Sequence, residues 1–107
     1  MFKVASDRKF THPVTVCVPV DNGHIDQTFK VTFRVLDATE MEQDGSVESQ
    51  KSVLRKIIVE MHDLIDADDQ PVSYSDALRD ELISLPFVRV ALNNVYIKAM
   101  TKAKAGN

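Results

Sequence analysis

Along residues 14–20 the chain alternates strictly: Val14, Val16, Val18 and Val20 fall on one parity, and Thr15, Cys17 and Pro19 on the other. A period of two in β-branched residues predicts a strand with one buried face. Pro19 has no amide hydrogen for a ladder, which places it at the strand's end or on an edge. Asp21-Asn22-Gly23-His24 follows, a turn by its chemistry, because Asn and Gly tolerate positive φ. Phe29, Val31, Phe33 and Val35 then alternate with Lys30, Thr32 and Arg34. Together the two runs predict an antiparallel β-hairpin with one apolar face.

An isolated hairpin is marginally stable in water, so that face needs a cover, which the rest of the chain must supply. Residues 37–42 read as a short helical turn, with Asp37 at the N-cap and Glu40 three residues on. Asp44-Gly45-Ser46 breaks it. From Val47 a helical pattern runs to about Met61 or beyond, with Val53, Leu54, Ile57, Ile58, Met61, Leu64 and Ile65 within less than half of the helical circumference. Whether residues 62–66 are helix or strand stays open. Leu64-Ile65 and Val72-Ser73-Tyr74 can form a tiny second hairpin around the acidic turn Asp66–Pro71. Ser75 is an N-cap candidate for a helix carrying Leu78, Leu82 and Ile83, with Asp76 and Asp80 in its first turns, where acidic side chains suit the dipole. Pro86 opens a last helix that runs to about Ala103 and ends among Lys98, Lys102 and Lys104. The expectation is an α+β fold: an N-terminal antiparallel β-hairpin packed against about four α-helices. All of residues 1–107 form a single domain, with 1–11 as a lead-in and 104–107 as a loosely ordered tail.

Length and composition narrow the class. A chain of 107 residues, 44% apolar and 27% charged with 3 Gly and 4 Pro, is neither collagen-like nor wholly disordered. It can hide roughly two-thirds of its unfolded surface in one core. Thirteen basic against sixteen acidic residues leave a net charge of −3, whereas nucleic-acid binders usually concentrate a basic surplus on one face. A single cysteine makes no internal disulfide. No apolar run approaches the roughly 20 residues of a membrane span, and the N-terminus lacks a signal-peptide core. These features predict a soluble, intracellular protein that engages neither nucleic acid nor membrane.

Candidate chemistry is sparse. His12, His24 and His62 lack the spacing of a helical metal pair. Cys17 reads as a small, semi-buried residue on the second face of the hairpin. Counted from Asp66, the calcium-loop positions that need Gly and Glu hold Pro71 and Ala77. The three glycines cannot build a phosphate loop, and Glu40/Glu42 and Asp80/Glu81 read as charges on exposed helix faces. Ser75–Leu85 and Pro86–Ala103 are adjacent helices, but the second opens Pro-Phe-Val-Arg-Val, unlike a base-reading helix. No enzyme activity, metal or cofactor is expected.

The last helix carries more than a core stripe. Phe87, Val88, Ala91, Leu92, Val95, Tyr96, Ala99 and Ala103 make one broad apolar face. Val90 and Ile97, seven residues apart, fall on the opposite side beside Asn93, Asn94 and Thr101, with Met100 at the edge. This second strip either meets another segment of the same chain or docks another copy or another protein. Val90, Ile97 and Met100 are the candidate partner-binding residues, and a homo-oligomer is one outcome.

The order of these features resembles a known family. A valine-rich hairpin ends in Phe33-Arg34-Val35-Leu36-Asp37, and the acidic turn Asp66-Ala67-Asp68-Asp69-Gln70-Pro71 precedes a helix that starts at Ser75. Leu85-Pro86-Phe87-Val88 and Tyr96 near the end complete the series. Over roughly residues 10–100 the chain resembles the small tail assembly chaperones of long-tailed bacteriophages and prophages. Similar proteins often carry Trp and Gly before the acidic turn, where this chain has Glu60-Met61-His62-Asp63. The resemblance implies a non-catalytic assembly factor of the host bacterial cytoplasm that binds the tape measure protein and helps recruit tail tube protein. A head–tail connector or tail completion protein is the alternative, and a small nucleic-acid-binding regulator the third reading.

Overall fold

In the computed structural model, which describes residues 1–102, the two alternating runs form long strands, β1 (Lys9–Val20) and β2 (Gly23–Arg34), joined by a tight turn. Cross-strand partners share a face, and the pairs Phe10↔Phe33, His12↔Val31 and Val14↔Phe29 set the apolar one. Val14, Val31 and Phe33 on it are fully buried. The opposite face is a polar ladder. Thr11 and Thr32 hydroxyls lie 2.8 Å apart, Thr15 and Thr28 hydroxyls 3.0 Å apart, and His62 Nε2 is 2.9 Å from Thr32 Oγ1. In the turn the positive φ falls on Gly23, at 149°, while Asn22 stays on the negative side.

β1 is an edge strand. The Val35 N–H donates to the Arg8 carbonyl at 2.9 Å, so the even residues of β1 face β2 with their polar backbone groups and the odd residues face outward. Pro13 and Pro19 are both odd. Neither costs a bond to β2, and both remove a donor from the exposed edge.

The other edge is closed by β3 (Ile58–His62), antiparallel to Lys30–Phe33 of β2. This corrects the expectation of a helix to Met61. Helix α1 (Val47–Ile57) starts where predicted, with Ser46 Oγ accepting the Ser49 N–H at 3.1 Å, but ends at Ile57, and the chain enters the sheet at the next residue. A register shift opposite Thr32/Phe33 leaves Val59 unpaired. Ile58 and Met61, three apart, therefore both reach the core.

Three helices are present among the described residues, not four. Residues 37–42 make a single turn, closed by Met41 N–H to Asp37 carbonyl at 3.2 Å and by Glu40 N–H to Asp37 Oδ1 at 2.9 Å. The tiny hairpin reduces to one bridge, Ile65↔Pro71, with the Val72 N–H on the Leu64 carbonyl at 2.9 Å. Helix α2 (Asp76–Ile83) is capped by Ser75, whose Oγ accepts the Leu78 N–H at 3.1 Å. Helix α3 (Pro86–Thr101) has Pro86 in its first turn and ends at Lys102 in the left-handed region. The expected last helical residue Ala103, the terminal cation Lys104 and the tail at 104–107 lie outside the described residues. At the other end, β1 starts at Lys9, so residues 9–11 of the expected lead-in belong to the sheet.

α1 and α3 cover the apolar face. Val88, Leu92 and Tyr96 of α3 and Val53, Leu54 and Ile57 of α1 meet the hairpin residues in one core, with Ile83 of α2 beside them. Tyr96 carries the central contact. Its ring lies 5.9 Å from Phe10 and 5.4 Å from Phe33. Its buried hydroxyl donates to the Arg34 carbonyl at 2.9 Å and accepts the Leu36 N–H at 3.1 Å. Burial raises the Tyr96 phenol above its usual range, so it stays a neutral donor at physiological pH. Helices α1 and α2 are tied at the surface by Asp80, 3.3 Å from Arg55 Nε and 3.1 Å from Arg79 Nη2.

Two outcomes follow. Tyr96→Phe keeps the ring but strands a buried N–H and a carbonyl, so denaturant titration should show a loss of about 1–3 kcal/mol. The hydrogen bond from Arg79 holds the Asp80 carboxyl below the usual carboxylate range. Its contribution to stability is thus present above the unfolded carboxylate pKa and lost as pH falls through the lower folded value. Melting curves of wild type and Asp80→Asn should differ at neutral pH and converge in acid.

Candidate functional site

β3 pairs only with Lys30–Phe33, so the outer half of the hairpin runs past the third strand. Val16 and Val18 on β1 and Phe29 on β2 form one wall of a groove there. Its other walls are Leu82, Leu85, Phe87 and Val88 at the α2–α3 corner, and Leu64 and Ile65 in the segment after β3. The cavity measures about 770 Å³, within the range of roughly 300–1,000 Å³ of binding clefts. Ile65 is 61% exposed and Leu85 39%, and Val20 and Ile25 continue the apolar surface toward the hairpin tip.

Local chemistry explains the groove's acidic lip. Asp63 and Asp69 both hold positive φ, 61° and 59°, a conformation that Asp tolerates better than most residues. The chain bends at each. Between them Asp66 Oδ1 accepts the N–H groups of Asp68 at 2.8 Å and Gln70 at 3.0 Å, which fixes the loop. Asp63, Asp66 and Asp69 line the groove together with no Lys or Arg. Among the described residues, none of the three is in an ion pair. The groove is apolar inside and negative at its rim.

The sequence-predicted strip sits elsewhere. Val90, Ile97 and Met100 are 59%, 44% and 37% exposed; Val90 and Ile97 face away from Val88, Leu92 and Tyr96, and Met100, one turn after Tyr96, sits at the edge of the core face. Among the described residues they are not in the set packed against the core. Val90 and Ile97 lie about 200° and 180° around the helix from Val88 but only about 60° and 80° from Phe87, so the strip faces away from Val88 and lies beside the Phe87 wall of the groove. The groove is the feature that sequence reasoning missed; the signal for it was the alternation continuing through Val18, Val20 and Ile25 with too little helix to cover it.

The other candidates stay apart. His12 stands edge-on to Phe10 at 5.1 Å, His24 is near the hairpin tip, and His62 joins the threonine ladder. Cys17 is exposed, not semi-buried, because nothing covers the polar face where it pairs with Asp26. The Tyr74 hydroxyl is buried without a partner, and burial raises its pKa. Among the described residues no three His, Cys, Asp or Glu side chains are grouped so as to hold a metal ion, and no helix is long and apolar enough to cross a membrane. Comparison with protein-family models, curated proteins and solved structures finds no match.

If the strip is surface, polar substitution should be cheap. Val90→Ser and Ile97→Ser should each change stability by about 0.5 kcal/mol or less. Leu92→Ala, one turn away on the core side, should cost about 2–5 kcal/mol. Thermal melts with denaturant titration check both.

Proposed function

We propose that the protein is a non-catalytic assembly factor that holds another polypeptide by its apolar surface. By the resemblance over residues 10–100 this is a tail assembly chaperone of a long-tailed phage, with the tape measure protein as client and tail tube protein recruited to it. The observation that carries the reading is the open apolar groove between the outer hairpin and the α2–α3 corner, with Ile65 and Leu85 exposed at its rim. Exposed apolar surface of this kind usually marks a site of protein contact. Helices lie into such grooves through side chains at i, i+3/i+4 and i+7, a pattern that long apolar helices of a tape measure protein would repeat along their length. The polar threonine face and the acidic balance of the chain suit a carrier that keeps such a client dispersed.

The test is co-expression of the chain with a tape measure protein of a long-tailed phage. The client should stay in the supernatant and co-purify with the wild type, and should be lost to the pellet with Leu85→Glu. Mass spectrometry of purified virions should find the tape measure protein and not this chain. Its presence at stoichiometric level in mature particles would favour a connector or completion protein instead.

A further inference from the structure

The groove and the strip on α3 are complementary in charge as well as in shape class. The groove is apolar with Asp63, Asp66 and Asp69 on its lining and no basic residue. Helix α3 contains Arg89 and Lys98 and not one acidic residue between Pro86 and Thr101. Its exposed apolar residues Val90 and Ile97 are two helical turns apart, about 10 Å along the axis, with Lys98 next to Ile97. Lys98 has no ion pair among the described residues. One molecule thus carries both an apolar helix face beside a cation and an apolar groove edged by carboxylates, none of them in an ion pair among the described residues.

We propose that the groove takes the outer strip of α3 from a second copy of this chain. Val90, Ile97 and Met100 of one copy fill the cleft between the outer hairpin and the α2–α3 corner of the next, and Lys98 meets the carboxylates at the rim. A strip seated in a groove joins two different surface patches of the chain. The contact is therefore head-to-tail, and it builds rings or open chains instead of a closed two-fold dimer. An open chain keeps one free groove at one end and one free strip at the other. This goes beyond client binding: it shares the groove with that reading and adds the charge and exposure of α3.

The experiment uses two variants at exposed positions, Ile97→Glu to disable the strip and Ile65→Lys to disable the groove. Sedimentation velocity should show the wild type associating with rising concentration, and each variant alone staying monomeric with an unchanged circular dichroism melt. Mixed in equal amounts, the two should form a one-to-one dimer and nothing larger, since one contributes an intact groove and the other an intact strip. The pair Asp63→Asn and Asp69→Asn, which keeps residues that tolerate positive φ, should weaken wild-type association about tenfold or more and reduce its sensitivity to salt. A wild type that is monomeric up to its solubility limit overturns the proposal. So does a mixture that stays monomeric, association that survives Ile97→Glu, or salt sensitivity unchanged by the Asn pair. A monomeric wild type that still keeps the tape measure protein in solution would overturn self-docking alone and leave the chaperone reading in place.

Discussion

The Tyr96 hydroxyl is the point on which the arrangement of the helices turns. It binds the carbonyl of Arg34 and the amide of Leu36, the two backbone groups where β2 leaves the sheet. Those groups have lost their strand partners and would otherwise be buried unpaired, a cost that a folded chain rarely bears. A single side chain satisfies both, from 60 and 62 residues away in sequence. The aromatic contacts with Phe10 and Phe33 hold the ring in place. With Tyr96 pinned at the start of β1 and Phe87 and Val88 beside Val16 and Val18, α3 must run against the direction of β1. That orientation aims the helix's N-terminal end at the outer hairpin, which creates the groove. It also turns Val90 and Ile97 away from the sheet.

Much of this was legible in the chain, for reasons that can be named. The hairpin, its turn, the Ser75 cap and the helix starts at Val47 and Pro86 depend on local chemistry, and local chemistry is what a sequence displays. The boundary at Ile57 was not legible. Ile58 and Met61 have the i, i+3 spacing of a helix, yet here the spacing comes from a bulge at Val59 in a five-residue strand. Periodicity cannot separate those two cases in so short a run. What decides between them is the open edge of β2, a tertiary fact. The turn at 37–42 failed to extend for a comparable reason. Asp37 caps it as predicted, but no second turn of apolar residues follows to pack it down.

The candidate surface was half legible. The position of the outer strip on α3 followed from helical geometry alone; its exposure followed only from the fold, which lays no second layer of described residues over Val90 and Ile97. The groove needed three segments brought together, 16–29, 63–69 and 82–88, and no pattern within any one of them announces the other two. The acidic turn looked like a solvated loop when taken alone. Its meaning changes once Asp63, Asp66 and Asp69 are seen to edge an apolar cleft: carboxylates there do not solvate a bare loop, they set which charge a visiting chain must bring.

The placement of α3 has a further consequence in time. The hairpin is complete at Arg34, but the helix that covers most of its apolar face ends only at Thr101. A ribosome adding about 5–20 residues per second needs on the order of ten seconds to cross that interval. Throughout it the nascent hairpin stands with a greasy face uncovered and a long free edge, the conditions under which growing chains on one message tangle with one another. Pro13 and Pro19 interrupt that edge at two places on its outward parity, so an intruding strand finds at most Thr15 and Cys17 between them as consecutive outward donors. The prolines blunt that edge in the finished fold, and they already do so in the seconds before the fold is finished.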